Sequence, residues 1–238
     1  MANHYLHIVG TVHLDLKGKD RLDTVIAGFN PQTIALEMTK SREMLPRMVK
    51  ENISSFVEGL KPSTSEEREI LTVLGHYLTD EVIGYELKAC NDYKNKKPEV
   101  ELSYVDLDIV NPSDYINLVL RNLKQFFPML TPGGDLKKHK KTLRLFSETL
   151  YFLQEIGAKK KLEDQSLIHL SEEERQTLKR IYSDQRNEVM AEKIRERYHS
   201  GNQLLAVVGL GHLSALESKL TDLNPTILTL PEAVKIYS

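Results

Sequence analysis

The sequence predicts an α/β domain with a mainly parallel central sheet and flanking helices. Three observations carry that reading. Residues 5–9, 33–38 and 204–208 are short apolar runs with little polar alternation, as expected of strands covered on both faces. Between the first two, Leu22, Val25, Ile26 and Phe29 recur at the spacing of a helix with one buried side, so the chain opens as β-α-β. Hydrophobic residues make up 40% and charged residues 28%, the proportions of a chain that folds around a core.

The elements follow in order. Residues 5–9 form a strand ending at Gly10, whose missing side chain is expected to let the backbone turn sharply. Asn30-Pro31 stops the first helix, because the residue before proline is driven out of the helical region. The strand over 33–38 is apolar until Glu37. Ser63-Thr64-Ser65-Glu66 has the form of a capping box, with Leu71, Leu74 and Leu78 continuing at helical spacing. Gly84 interrupts before a further helical piece through Glu86 and Ala89 towards Pro98. Residues 101–106 read as a third strand. Pro112-Ser113 opens a helix that Pro128 closes, and Thr131-Pro132-Gly133-Gly134 is a loop. Residues 136–198 read as a helical excursion from the core, with a second capping box at Ser171-Glu172-Glu173-Glu174. Residues 204–208 are the strongest strand, Leu213, Leu216, Leu220 and Leu223 repeat at helical spacing, and residues 226–230 are the last strand. Residues 1–238 are taken as one domain.

Composition narrows the function. A formal charge of −2 argues against a general nucleic-acid binder, which needs a concentrated excess of Lys and Arg. Cys90 is the sole cysteine, so a metal site must draw on His and carboxylate ligands. No stretch approaches the ~20 apolar residues of a membrane span and residues 1–5 lack a signal core, so no membrane partner and a cytoplasmic location are expected.

Two strands run into a glycine with histidine three positions later: Gly10-Thr11-Val12-His13 and Gly209-Leu210-Gly211-His212. Ligands of parallel sheets gather outside the carboxyl ends of strands, which would place both histidines on the functional edge. There a neutral imidazole can ligate a metal or move a proton, and the helix expected after His212 favours the neutral ring. The plainer alternative is a pair of tight turns carrying ordinary polar residues. Glu37 lies where the apolar pattern breaks. If buried, its carboxylate requires a cation, a metal or hydrogen-bond donors, and the alternative is a solvated strand end. Asp106 holds the corresponding place in the third strand, with helix capping by Asp106 or Asp108 as the alternative.

Arg186 falls on the inward stripe of Tyr182, Met190 and Ile194 and needs an anion there, either Asp106 or Glu37, or a substrate carboxylate or oxyanion. His4 and His7, three apart on a strand, take opposite faces. His76, His139, His169 and His199 are expected at the surface. The lysine runs 137–141 and 159–161 read as solvated helix faces. Residues 209–214 partly mimic a dinucleotide fingerprint, but lack its third glycine and stand too near the C-terminus to begin a Rossmann domain.

Taken together, Gly10-Thr11-Val12-His13, Ile34-Ala35-Leu36-Glu37-Met38 with Arg42, Gly84-Tyr85-Glu86-Leu87-Lys88-Ala89, Gln185-Arg186-Asn187 and Val207-Val208-Gly209-Leu210-Gly211-His212 resemble the TraB/PrgY family, related to the Tiki and GumN proteins. The resemblance implies an EreA/ChaN-like fold and, by analogy with Tiki proteins, a metal-dependent peptidase built on paired Gly-x-x-His motifs and a glutamate. Carried onto this chain, it makes His13, His212 and Glu37 metal ligands, with Glu37 alternatively the general base and Glu86 the next candidate for that role. Arg186 would orient substrate and stabilise the oxyanion. The ion would be Zn, Mn or Co, and the partner a peptide or small-molecule substrate, with homo-oligomer formation left open. Members of the family are linked to peptide-pheromone shutdown. The segment Val105-Asp106-Leu107-Asp108-Ile109 departs from it in lacking the arginine that commonly follows the first aspartate. The expected function is a metallohydrolase of peptide or other amide or ester bonds; the alternative is a non-catalytic peptide- or ligand-binding regulatory protein using the same cleft.

Overall fold

The computed structural model describes residues 5–13, 15–51, 57, 58, 64–77, 84–107, 140–142, 144, 145, 148, 149, 151, 184–199 and 201–238. Five parallel strands form one sheet: β1 (Leu6–Thr11), β2 (Thr33–Leu36), β3 (Glu101–Tyr104), β4 (Leu204–Gly209) and β5 (Thr226–Thr229), in the order β3-β2-β4-β1-β5. Helices α1 (Gly18–Phe29), α2 (Leu45–Glu51), α3 (Ser65–Tyr77), α4 (Tyr85–Lys96), α5 (Asp184–Arg197), α6 (Leu213–Lys219) and α7 (Leu230–Tyr237) accompany it. The α/β class and the parallel sheet read from the sequence are those observed.

The central strands explain their own composition. Every residue of β1, β2 and β4 is buried, since each lies between neighbours and beneath helices, and alternation would place polar groups in the core. In α1, Leu22, Val25, Ile26 and Phe29 are buried as their spacing requires, and Asn30 closes the helix in the left-handed conformation at φ 55°. Gly84, at φ 76°, precedes α4 and supplies the interruption read there. The last helix has a signal that the sequence reading missed: Thr229 and Glu232 form a reciprocal capping box at the start of α7.

Register brings three strand ends together. Thr11 of β1 lies opposite Gly209 of β4, and Leu36 of β2 opposite Val207. The chain runs from β1 to β2 across the place that β4 fills, so the carboxyl ends of β1, β4 and β2 stand side by side at a change in strand order.

The two glycines need a different explanation from the one expected. β1 continues through Gly10 to Thr11, so Gly10 is a strand residue and makes no turn. A Cβ there would come within 2.4 Å of Leu213 Cδ1; its absence lets α6 approach the sheet. Gly209 closes β4 in extended conformation, φ −61° and ψ 142°, which any residue can adopt. Space, not backbone freedom, accounts for both.

Residues 112–134, the capping-box residues Ser63 and Ser171, Leu78, Asp108, Tyr182, Lys159 to Lys161 and the histidines His4, His139 and His169 lie outside the described residues. Of the excursion expected over 136–198, the described residues between 140 and 151 and all of α5 are helical. Lys140 sits over the Tyr77 ring, 3.4 Å from its centroid, while Lys141, His76 and His199 are exposed. His7 is buried, its Nδ1 2.7 Å from the Tyr237 hydroxyl. No helix among the described residues is long and apolar enough to cross a membrane.

Candidate functional site

Glu37 is the first residue beyond β2. Its N–H still donates to the Val207 carbonyl at 2.9 Å, so the sheet ladder carries its backbone past the strand and brings its carboxylate to the end of β4. There Oε2 accepts the Gly209 N–H at 2.6 Å and Oε1 accepts Arg186 Nη2 at 2.7 Å. His212 Nε2 faces the same Oε1 at 3.4 Å. Glu37 is only 7% exposed, so it is a buried charge with partners and not a solvated strand end. Burial pushes its carboxyl up, but His212, Arg186 and His13 outweigh this and hold it well below the usual carboxylate range.

Arg186, on the buried face of α5, links Glu37 to Asp106. Its Nε donates to Asp106 Oδ1 at 2.8 Å and its Nη2 to Oδ2 at 2.6 Å. Arg42 also pairs with Asp106 Oδ2, and the Leu107 N–H caps Oδ1 at 2.7 Å. Both anions considered for Arg186, Glu37 and Asp106, are therefore its partners, in a chain Glu37–Arg186–Asp106–Arg42 that alternates in sign inside the protein. The Asp106 carboxylate belongs to this chain, while the residues after Leu107 that a helix cap would serve lie outside the described residues.

His13 stands beyond β1 with 43% of its side chain exposed, and its Nδ1–H donates to Glu86 Oε1 at 2.7 Å. The same oxygen accepts from the Thr11 hydroxyl at 3.0 Å. Glu86 reaches this point from the first turn of α4 and is buried. Burial opposes a positive charge on His13 and Arg42 adds to that opposition; the Glu86 carboxylate, helped by Glu37, prevails and raises the imidazole pKa. His212 is buried at the end of a short 3-10 turn, Leu210–His212, and its Nδ1 lies 2.6 Å from Asn187 Oδ1.

These contacts decide where the ring protons can sit. Glu86 only accepts, so neutral His13 carries its proton on Nδ1 and keeps its lone pair on Nε2, whereas His212 stands between two acceptors, Asn187 Oδ1 at Nδ1 and Glu37 Oε1 at Nε2. Both Nε2 atoms lie near the Glu37 carboxylate. That of His212 faces Oε1, and a Cβ on Gly209 would lie 3.2 Å from both His13 Nε2 and Glu37 Oε2, so those two atoms are within about twice that distance of each other. Gly209 is glycine because the site closes over it. When protonated, His212 donates at both ring nitrogens, to Asn187 Oδ1 and to Glu37 Oε1 3.4 Å from Nε2, and a cation at Nε2 would take the place of the second proton.

In kind, the donors fit a divalent ion: two imidazoles with Nδ1–H anchored by an outer partner, and an ionised carboxylate. In spacing they are not a closed three-ligand cage, since among the described residues no three His, Cys, Asp or Glu side chains form a group ready to hold a metal. His13, Glu37, His212, Arg186 and Glu86, named from the sequence, all belong to this one constellation. Asn187 was quoted there without a role. Its signal was present: with Ala191 and Ile194 it lies on the buried face of α5, where an amide must find a partner. No family model, curated protein or solved structure compared with the chain matches it.

Proposed function

We propose that this protein is a metal-dependent hydrolase of peptide or other amide bonds, in keeping with its resemblance to the TraB/PrgY family, with a divalent ion held by His13 and His212 beside Glu37. The observation supporting this reading is that two histidines, each bonded at Nδ1 to a separate partner, bring Nε2 near one buried carboxylate whose pKa is held low. A bound Zn, Mn or Co ion would supply Lewis acidity and a water activated for attack at neutral pH. Glu86 and Asn187 orient the two rings, the role outer partners play at metal-binding histidines. Glu37, with its pKa held low, is a weak proton acceptor and suits a ligand or charge anchor better than a general base. Arg186 contributes by fixing Glu37, which makes it a positioning residue in this scheme.

One observation favours a non-catalytic peptide- or ligand-binding protein instead: both Glu37 oxygens already accept hydrogen bonds, from Arg186 and Gly209. Calorimetric titration with Zn²⁺, Mn²⁺ and Co²⁺, on the wild type and on His13→Ala and His212→Ala, tests the metal site. Hydrolysis of a quenched fluorescent peptide library by the metal-loaded protein tests the reaction. Metal binding lost in both variants, with turnover, is the expected result. Metal binding without turnover would leave the binding protein, and uptake unaffected by either substitution would overturn the site.

A further inference from the structure

The turn that presents His13 is held by more than Glu86. Val12, its immediate neighbour, is buried, and both of its peptide groups are bonded: the N–H donates to the Tyr151 hydroxyl oxygen at 3.0 Å, and the carbonyl accepts from the Asp15 N–H at 2.8 Å and the Tyr85 hydroxyl at 3.3 Å. Tyr151 in turn donates its hydroxyl proton to Asp15 Oδ2 at 3.2 Å. Asp15 is buried and anchored at both oxygens, Oδ2 by Arg21 Nη1 at 2.8 Å and Oδ1 by the Lys17 N–H at 2.9 Å. Arg21 spans to Glu148 Oε1 at 2.6 Å, one helical turn before Tyr151, and its guanidinium lies 5.9 Å from the Tyr151 ring centroid. Tyr85 adjoins Glu86 in α4 and lies so close to the start of α1 that a Cβ on Gly18 would be 2.3 Å from its ring.

We infer that Tyr151 is a positioning residue for His13: its hydroxyl, wedged between the Val12 N–H and Asp15, fixes the backbone from which the imidazole reaches the site. The chemistry of the contact supports this. One phenol oxygen accepts from the backbone and donates to a carboxylate at once, which no hydrophobic side chain of the same shape can do. Burial, together with the Asp15 and Glu86 carboxylates, keeps the Tyr151 and Tyr85 hydroxyls protonated, so the donor to Asp15 is permanent. His13 is thus held from two directions: Glu86 fixes the ring, and Tyr151 fixes the peptide that carries it. Tyr151 belongs to the helical residues described between 140 and 151, and it adds a support for His13 to those given by β1 and α4.

This inference rests on reading His13 as a metal ligand only for its effect on affinity, and the test separates the two. Tyr151→Phe keeps the ring and removes the hydroxyl. Tyr237→Phe, which deletes a hydroxyl bonded to the buried His7 beside the N-terminal end of β1, is the control for loss of a hydrogen-bonded phenol away from the site. Three readouts are compared in folded protein: hydrogen exchange of the Val12 amide, the rate of His13 modification by diethyl pyrocarbonate, and Co²⁺ affinity. Tyr151→Phe should speed exchange at Val12 and change the His13 modification rate. It should also weaken Co²⁺ binding on the order of 10-fold, the lower end of what outer partners of metal ligands contribute. Tyr237→Phe should leave all three unchanged. If the wild type binds no Co²⁺, the metal reading fails while exchange and modification still decide the role of Tyr151. Should Tyr151→Phe not fold, Asp15→Asn, which weakens the anchor of the same hydroxyl, is measured in its place. Val12 exchange and His13 reactivity equal to wild type in the folded variant would overturn the inference.

Discussion

Replacing Arg186 by methionine keeps the bulk of the side chain and removes the charge. Arg186 is 1% exposed, and its charge-assisted hydrogen bonds include two to Asp106 and one to Glu37, all between 2.6 and 2.8 Å. Removing one partner of a buried ion pair costs about 3–5 kcal/mol, because the remaining charge is stranded. Here Arg42 stays on Asp106 and the Gly209 N–H stays on Glu37, so the loss should fall near the lower limit, about 3 kcal/mol. For a chain of this length that is a fall in Tm of roughly 6–12 °C. Thermal unfolding followed by circular dichroism reads it directly. Arg186→Lys, which keeps the charge but loses the planar fork, should fall in between. A melting point for Arg186→Met within about 2 °C of wild type would refute the argument that this guanidinium neutralises two buried carboxylates.

Other outcomes follow from the same geometry. Stability should fall on both sides of a plateau. Glu37, whose folded pKa is depressed, contributes stability above its ordinary value of 4.5 that is lost as pH falls through the folded value. His13, whose folded pKa is raised, contributes stability below 6.5 that is lost as pH rises through its folded value. Melting points measured from pH 3 to 9 should show the acid limb flattened in Glu37→Gln and the alkaline limb flattened in His13→Ala; unchanged limbs would contradict these assignments. Gly209→Ala should fold, since φ −61° suits alanine, yet bind metal more weakly because its Cβ presses on Glu37 and His13; calorimetry showing wild-type affinity would remove the spatial reason given for the glycine. Asn187→Ala should weaken metal binding by about 10- to 100-fold through release of the His212 ring, and an unaltered Kd would deny Asn187 that role.

The sequence alone was enough for the α/β class and the parallel character of the sheet. Strands buried on both faces must be apolar without alternation, and a helix that buries one side must repeat its apolar residues at i, i+3, i+4 and i+7, so β1, α1, β2 and β4 are visible in one dimension. The break in pattern at Glu37 and the inward place of Arg186 were visible for the same reason: a charge where the period demands an apolar residue must find a partner. Which partner it finds is a property of register and strand order. Glu37 meets Arg186, Gly209 and His212 across separations of 149 to 175 positions because β4 lies beside β2, and no local pattern encodes that neighbour. The glycines show the limit most plainly. Composition suggested freedom to turn, whereas Gly10 and Gly209 have ordinary extended backbones and are small because Leu213 approaches one and His13 and Glu37 close over the other. Close approach is a relation between surfaces that only folding brings together, so its cause could not be read from the residues on either side.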